Sequence, residues 1–219
     1  MYLKLDGTLS SKFPGLSTRI LTIRGVSIET LNPALETFKR QVFEKAARKW
    51  NLEELKENQI FRAYRDFFWK VNVDPTKIRP ASEALLRRIL RGNPLPTINT
   101  LVDAYNLASV STSIPFGAFD IDRIKGDLVM REASPGEEFL GIGMDAHIRL
   151  IGGEAVIQDD ERLIAVYPYR DAEYSKVTLS TRNLLLMVCG VPGIESLELE
   201  KAEVVGVDYI TRFCGGAVM

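Results

Sequence analysis

The sequence predicts an α+β domain on two observations. Helical periodicity runs through residues 33–114, and short apolar segments divided by Gly, Pro and acidic turns fill residues 127–188, so helices and strands segregate along the chain. The expected arrangement is a sheet core from the C-terminal half packed against a central helix at 97–114. Helices at 33–50, 60–71 and 80–91 from the N-terminal half gather on one side, and residues 1–219 form a single domain.

Each element has a local reason. Alternation about Leu3 and Leu5 predicts a strand over 2–9, Phe13-Pro14-Gly15 a turn, and the apolar run at 19–28 a second strand. Asn32 offers an N-cap with Pro33 at the first helical position, and Leu35, Phe38, Val42 and Ala46 trace a stripe ending near Trp50. Residues 52–55 make a helical turn. Ile60, Tyr64, Phe67, Phe68 and Val71 then share one helix face, with Arg62 and Asp66 spaced to pair on the other. The helix at 79–91 points Leu85 and Ile89 inward and Arg87, Arg88 and Arg91 to solvent, and is stopped by Gly92 and Pro94. In the central helix Ile98, Leu101, Val102, Tyr105 and Ala108 fall at helical spacing, while Asn99, Asp103 and Asn106 follow one another on another face. A Pro115 stop then leads through a tight Gly-containing entry to a strand. Further strands are expected at 127–131, 154–157, 162–166 and 184–188, then a closing helix broken or ended at Gly206 and Gly215.

Composition narrows the function classes. An apolar share of 46% and a charged share of 26%, with no long apolar run and no signal-peptide pattern, point to a cytoplasmic protein with no membrane segment. Cys189 and Cys214 lack a second pair of ligands, so they read as small buried side chains. The net charge of −1 hides an asymmetry: residues 1–100 hold 18 Lys and Arg against 10 Asp and Glu, residues 101–219 hold 10 against 19. The basic half either faces phosphates or merely solvates helix surfaces.

Familiar catalytic signatures are missing: no glycine-rich dinucleotide loop, phosphate loop, nucleophile elbow or zincin helix occurs. The lone His147, near Asp145, makes a weak metal site, and no metal or cofactor is expected. Interleaving of Phe61, Tyr64, Phe67, Phe68 and Trp69 with Arg62, Arg65 and Lys70 is better explained by core packing than by base stacking. The stretch 167–175 is richer in chemistry. Arg170 offers a planar fork for a carboxylate or phosphate, Asp171 or Glu173 a carboxylate for an amine, and Ser175 and Thr178 add hydroxyls. The competing reading is that Arg170 and Asp171 pair internally to brace the loop.

Val102-Asp103, Asn106 and Ala118-Phe119-Asp120, together with Arg79-Pro80, the 82–88 helix, Arg170-Asp171 and the 175–181 loop, resemble the B3/B4 domain of the phenylalanyl-tRNA synthetase beta chain in a stand-alone form. That resemblance implies an editing module that hydrolyses misattached tyrosine from tRNA, using a threonine, a histidine and a glutamate. Those positions fall on Tyr105, Gly117 and Met187, so the synthetase's own chemistry does not transfer and no catalytic residue is assigned. The expected pocket joins Tyr105, Asn106, Phe116 and Gly117 with Arg170, Asp171 and Ser175, and Arg87, Arg88 and Arg91 form an RNA-facing surface. Two functions follow: a module that binds or deacylates aminoacyl-tRNA, or a non-catalytic binder of a free amino acid or related small metabolite. A hydrolase using Asp103 or Asp171 as general base is a third, weaker one, and a complete synthetase is not expected.

Overall fold

A computed structural model describes residues 2–219. The N-terminal part holds β1 (Leu3–Leu5), α1 (Gly7–Lys12), β2 (Thr18–Arg24), α2 (Pro33–Lys49), α3 (Glu54–Glu57), α4 (Gln59–Lys70), α5 (Ala81–Leu90) and α6 (Thr100–Thr112). There follow β3 (Phe116–Asp120), β4 (Leu128–Glu132), β5 (Glu138–Phe139), β6 (Ile148–Arg149), β7 (Ala155–Gln158), β8 (Leu163–Val166), β9 (Arg170–Asp171) and β10 (Asn183–Cys189), and the chain closes with α7 (Ser196–Cys214) and β11 (Ala217–Val218). The α+β class holds.

Two sheets divide the strands, in the orders β1-β4-β7-β8-β9 and β11-β2-β10-β3, beside a β5-β6 hairpin. All pairings are antiparallel except β1 with β4. Strand β10 sits between β2 and β3, with Leu186 opposite both Leu21 and Ala118, and is buried along nearly its whole length. A strand hydrogen-bonded on both edges and covered on both faces has no position for a polar side chain, which is why it reads as Leu-Leu-Leu-Met-Val-Cys.

The expectation that the sheet comes from the second half alone is corrected: β2 occupies an interior place in one sheet and β1 an edge of the other. Periodicity reports which faces are apolar, not which strands pair. The first strand is also shorter than 2–9, because the Asp6 side chain accepts the Thr8 N–H at 2.9 Å and starts α1 there. Gly206 does not break α7. It lets the helix close on Phe116, whose ring a Cβ at that position would approach to 2.6 Å. Helix α6 packs chiefly along α7, and more on α5 and α2 than on β3, so its main support is helical rather than the sheet. Leu86 rather than Leu85 is the fully buried leucine of α5, and Ile98 is exposed. Arg62 makes no pair with Asp66; Arg65, one position from that face, bonds Glu83 on α5 instead.

Helix α2 begins as expected, with the Asn32 side chain accepting the Ala34 and Leu35 N–H groups at 3.0 and 3.1 Å. It is pinned to α6 by a buried ion pair: Lys39 Nζ stands 2.7 Å from Asp103 Oδ2, and the two side chains are 5% and 2% exposed. Glu36 at 2.6 Å and Thr97 Oγ1 at 3.0 Å complete the ammonium's partners, and Asp103 also accepts the Ile98 N–H at 3.1 Å. Burial opposes the Lys39 charge, but its hydrogen bonds to Asp103 and Glu36 outweigh that and hold its pKa above the ordinary value. Lys39→Met strands a buried carboxylate and should cost about 3–5 kcal/mol in urea unfolding, whereas the double variant Lys39→Met/Asp103→Leu should recover most of it.

Candidate functional site

The two sheets meet at their edges. Strand β9, last in its sheet, lies against β3, last in the other, and the Gly117 Cα faces the Asp171 carboxyl so closely that a Cβ would sit 3.3 and 3.4 Å from its two oxygens. At this seam is an inner cavity of about 60 Å³ walled by Phe116, Gly117, Tyr167, Arg170, Asp171 and Met187, with Cys189 behind and Ala81 at its rim. Register explains the grouping: Met187 is the cross-strand partner of Gly117.

Burial pushes the Asp171 carboxyl up to about 7, against the lowering influence of the Ala118 N–H and of Arg170. An acid held there changes charge near neutrality, as a proton donor or acceptor must. Tyr105, half-buried on α6, is close enough that its hydroxyl is pushed up, by burial first and then by the charges of Asp171 and Asp103. Burial also raises the Cys189 thiol, with Asp171 adding to it.

Arg170 does not pair with its neighbour. Its stem lies over Gly141, where a Cβ would meet Cγ at 2.5 Å, and its Nη1 donates to the Ile142 carbonyl at 2.9 Å. The Nε is buried without a partner, so the internal Arg170–Asp171 brace is not what holds this loop.

Ala81 also borders a second, larger concavity. This outer cleft, about 620 Å³, is lined by Lys77, Arg79, Arg88, Arg91, Asn93 and Asn106, among others. Arg88 and Arg91 are exposed there, Arg88 steadied by its Nε bond to the Pro94 carbonyl at 2.6 Å. Arg87 borders the cleft but is corrected from the solvent-facing set: it is 11% exposed and bonds Glu83 at 2.5 Å. Glu83 is fully buried between Arg87 and Arg65, so the Arg87 charge is spent on a structural triad.

The expected pocket is therefore divided. Phe116, Gly117, Arg170 and Asp171 converge in the inner cavity with Tyr105 beside it, while Asn106, one residue along the same helix, turns to the outer cleft. Ser175 belongs to neither. It is fully buried at the end of β3, where its carbonyl accepts the Asp120 N–H at 2.9 Å. Thr181 donates to Asp120 at 2.7 Å, so Asp120, Ser175 and the 178–181 turn clasp a loop rather than line a pocket. Glu173 is occupied by Lys176, and Asp103 by Lys39, which leaves Asp171 as the acid without a cationic partner. His147 and Asp145 are both exposed, and no metal-binding cluster occurs among the described residues. Sequence reasoning missed Lys77, Arg79 and Asn93 as cleft residues; the signal was the run of cations flanking α5, of which only the helical ones were singled out.

The α+β domain thus carries a cleft lined by Lys77, Arg79, Arg88 and Arg91 and, sharing Ala81 with it, a small cavity lined by Arg170 and Asp171. The chain belongs to the B3/4 domain family, whose pattern matches residues 63–201. It is 37% identical over 117 residues to the phenylalanine–tRNA ligase beta subunit of Psychrobacter arcticus, covering 52% of this chain and 14% of that protein. The same subunit from Fusobacterium nucleatum is 31% identical over 113 residues, 51% of this chain and again 14% of the relative. A solved N-terminal fragment of the phenylalanyl-tRNA synthetase beta-subunit from Pyrococcus horikoshii shares the fold, with a TM-score of 0.53 over 99% of this chain and 49% of the fragment at 15% identity. The chain thus spans a small part of its curated relatives. Among the described residues no helix is long and apolar enough to cross a membrane.

Two outcomes follow for the cavity acids and bases. The groups facing Asp171 are Tyr105 on α6, Arg170 on β9 and Cys189 on β10, and neither Tyr105 nor Cys189 ionises below neutrality, since both are raised. Because the folded-state value of Asp171 lies above its ordinary 3.8, the native state binds the extra proton between about pH 4 and 7, and this group's contribution to stability falls as pH rises through that window. Asp171→Asn mimics the protonated acid. Its stability in urea should match the parent near pH 4 and exceed it increasingly up to about pH 7, then level off. Arg170→Lys, which leaves no carboxylate unpaired, should shift the stability of the free protein by less than about 1 kcal/mol in the same assay.

Proposed function

We propose that this chain binds the acylated 3′ end of an aminoacyl-tRNA, with phosphates in the outer cleft and the acyl group directed past Ala81 toward the inner cavity. The observation that carries the reading is the nearness of the two compartments, which share Ala81 in their walls. Lys77, Arg79, Arg88 and Arg91 line the cleft on one side of it, and Arg170 and Asp171 line the small cavity on the other. The named relatives are tRNA ligase subunits, which supports the same ligand class. Arg170 suits a carbonyl or carboxylate oxygen, because its fork can make two charge-assisted bonds and its Nε has no partner within the protein.

Deacylation within this reading falls to Asp171. With Tyr105, Gly117 and Met187 at the positions the family uses for editing, the carboxyl that titrates near neutrality is the group placed to take a proton from water. A second reading, a free amino acid bound without chemistry, draws on the same pair: carboxylate on Arg170 and ammonium on Asp171.

Salt dependence tests the RNA arm. Each single-strand phosphate neutralised contributes a slope of about −0.7 in log K against log salt, so four cleft cations give roughly −3. Bulk aminoacyl-tRNA should bind with a slope of that order, and Arg88→Ala/Arg91→Ala should weaken binding while flattening the slope by about 1.4. Arg87→Ala, by contrast, should act on stability. A salt-insensitive complex, or no binding at low salt, would leave the amino-acid reading.

A further inference from the structure

The outer cleft and inner cavity, at about 620 and 60 Å³, differ tenfold in volume, and the inner one is too small for an aromatic ring. Benzene occupies engineered protein cavities of about 150 Å³, and a single water needs about 10–15 Å³, so the space here takes only a few non-hydrogen atoms. The walls do not yield easily. Tyr167 is 1% exposed, and its hydroxyl donates to the Gly190 carbonyl while accepting from Thr18 at 2.8 Å. Phe116 is backed by Gly206, and Met187, also 1% exposed, lies in the central strand of its sheet. Cores packed at this density resist opening by a whole ring.

Polar groups at the cavity are as selective as its size. Asp171 lacks a cationic side chain at ion-pair distance, its carboxyl oxygens lie 3.3 and 3.4 Å from where a Gly117 Cβ would sit, and Arg170 lines the same cavity. We propose that the inner cavity is a subsite for a compact α-aminoacyl group, its ammonium on Asp171 and its carbonyl oxygen on Arg170, with room for a side chain of glycyl, alanyl or seryl size and none for an aromatic one. The assignment rests on the binding half of the aminoacyl-tRNA reading and names its acyl class; it takes Asp171 for the ammonium in place of the role of base, since a carboxylate so paired loses its affinity for a proton, and it also holds for the cavity on its own. An ammonium entering here meets a carboxylate that no cation holds at ion-pair distance, Arg170 acting on it only from farther off, and the charges of ammonium and carboxylate stabilise each other. A larger side chain must stay in the outer cleft, which carries the ammonium away from Asp171.

Amino-acid amides test the cavity without RNA. Glycinamide, alaninamide, leucinamide and phenylalaninamide, titrated through the millimolar range against the whole chain, are followed by calorimetry and by melting temperature, which rises when a ligand binds only the native state. The expected result is saturable binding of glycinamide and alaninamide, and none by phenylalaninamide or by N-acetylalaninamide, which has no ammonium. Asp171→Asn should weaken alaninamide on the order of tenfold or more, and Gly117→Ala should block it by filling the approach to the carboxyl. Binding of phenylalaninamide as strong as that of alaninamide overturns the size assignment. Equal binding of the acetylated amide overturns the role of Asp171, and this comparison on the unaltered protein stands even where a variant does not fold. If no amide binds while aminoacyl-tRNA does, this proposal fails and the RNA reading survives; if amides bind and RNA does not, the reverse holds.

Discussion

The buried pair of Lys39 and Asp103 is the constraint on which the site's geometry depends. It fixes the first turn of α6 against α2, with Asn99 capping that turn by accepting the Val102 N–H at 2.9 Å. Everything downstream is then placed by helical rotation. Tyr105 and Asn106, a hundred degrees apart, reach two different compartments, and the helix runs on to Ser113, whose left-handed φ of 67° turns the chain into β3. A pair this buried contributes little net stability over an apolar substitute, so its value here is positional: it fixes the orientation of α6. Asp103 was therefore legible as special in the sequence, yet its partner is a lysine four elements upstream, on α2, and its work is support.

A second constraint is the meeting of two sheet edges. An edge strand leaves a row of backbone groups unpaired, and here β3 and β9 blunt each other, through their own contact and the isolated bridge of Phe119 with Lys176. Close approach needs a residue without a side chain on β3, and Gly117 meets that need. The same absence exposes the carboxyl of Asp171 to a cavity. An acid from the facing sheet stands against the space that Gly117 leaves, so this one position governs both the packing of the two edges and the surroundings of the titrating group.

What the sequence made legible follows from the range of each signal. Helices α2, α4 and α6 and strands β4, β7, β8 and β10 were readable because caps, proline stops and apolar periodicity act within a few residues. Strand pairing was not, since β1 and β2 look alike in composition and join different sheets. Arg87 shows the limit most plainly. A solvent-facing arginine in the pattern of α5 proved to bond a glutamate four residues back that is wholly buried, because Arg65 from α4 arrives to share the charge. Likewise Ser175 sits in a chemistry-rich stretch, but the Asp120 N–H claims its carbonyl and draws it away from the cavity. Long-range partners decide such cases, and no window of sequence contains them.

The charge distribution bears on how a polyanion would approach a protein with a net charge of −1. Cations gather in the α5 cleft, while Glu137, Glu138, Asp159, Asp160 and Glu161 crowd a separate groove at the β4–β8 side. Attraction and repulsion on different faces orient a long anion more sharply than a uniformly basic surface does, at the cost of overall affinity. In the proposed complex, tight binding would then have to come from the end of the ligand that enters the cavity. With four cleft cations available to phosphates outside and only a few atoms admitted inside, discrimination would rest on the smaller compartment, where one missing methylene of space or one unpaired charge is worth about 1–3 kcal/mol. On that proposal the basic cleft would supply arrival and orientation, and Gly117, Met187 and Asp171 would supply the choice.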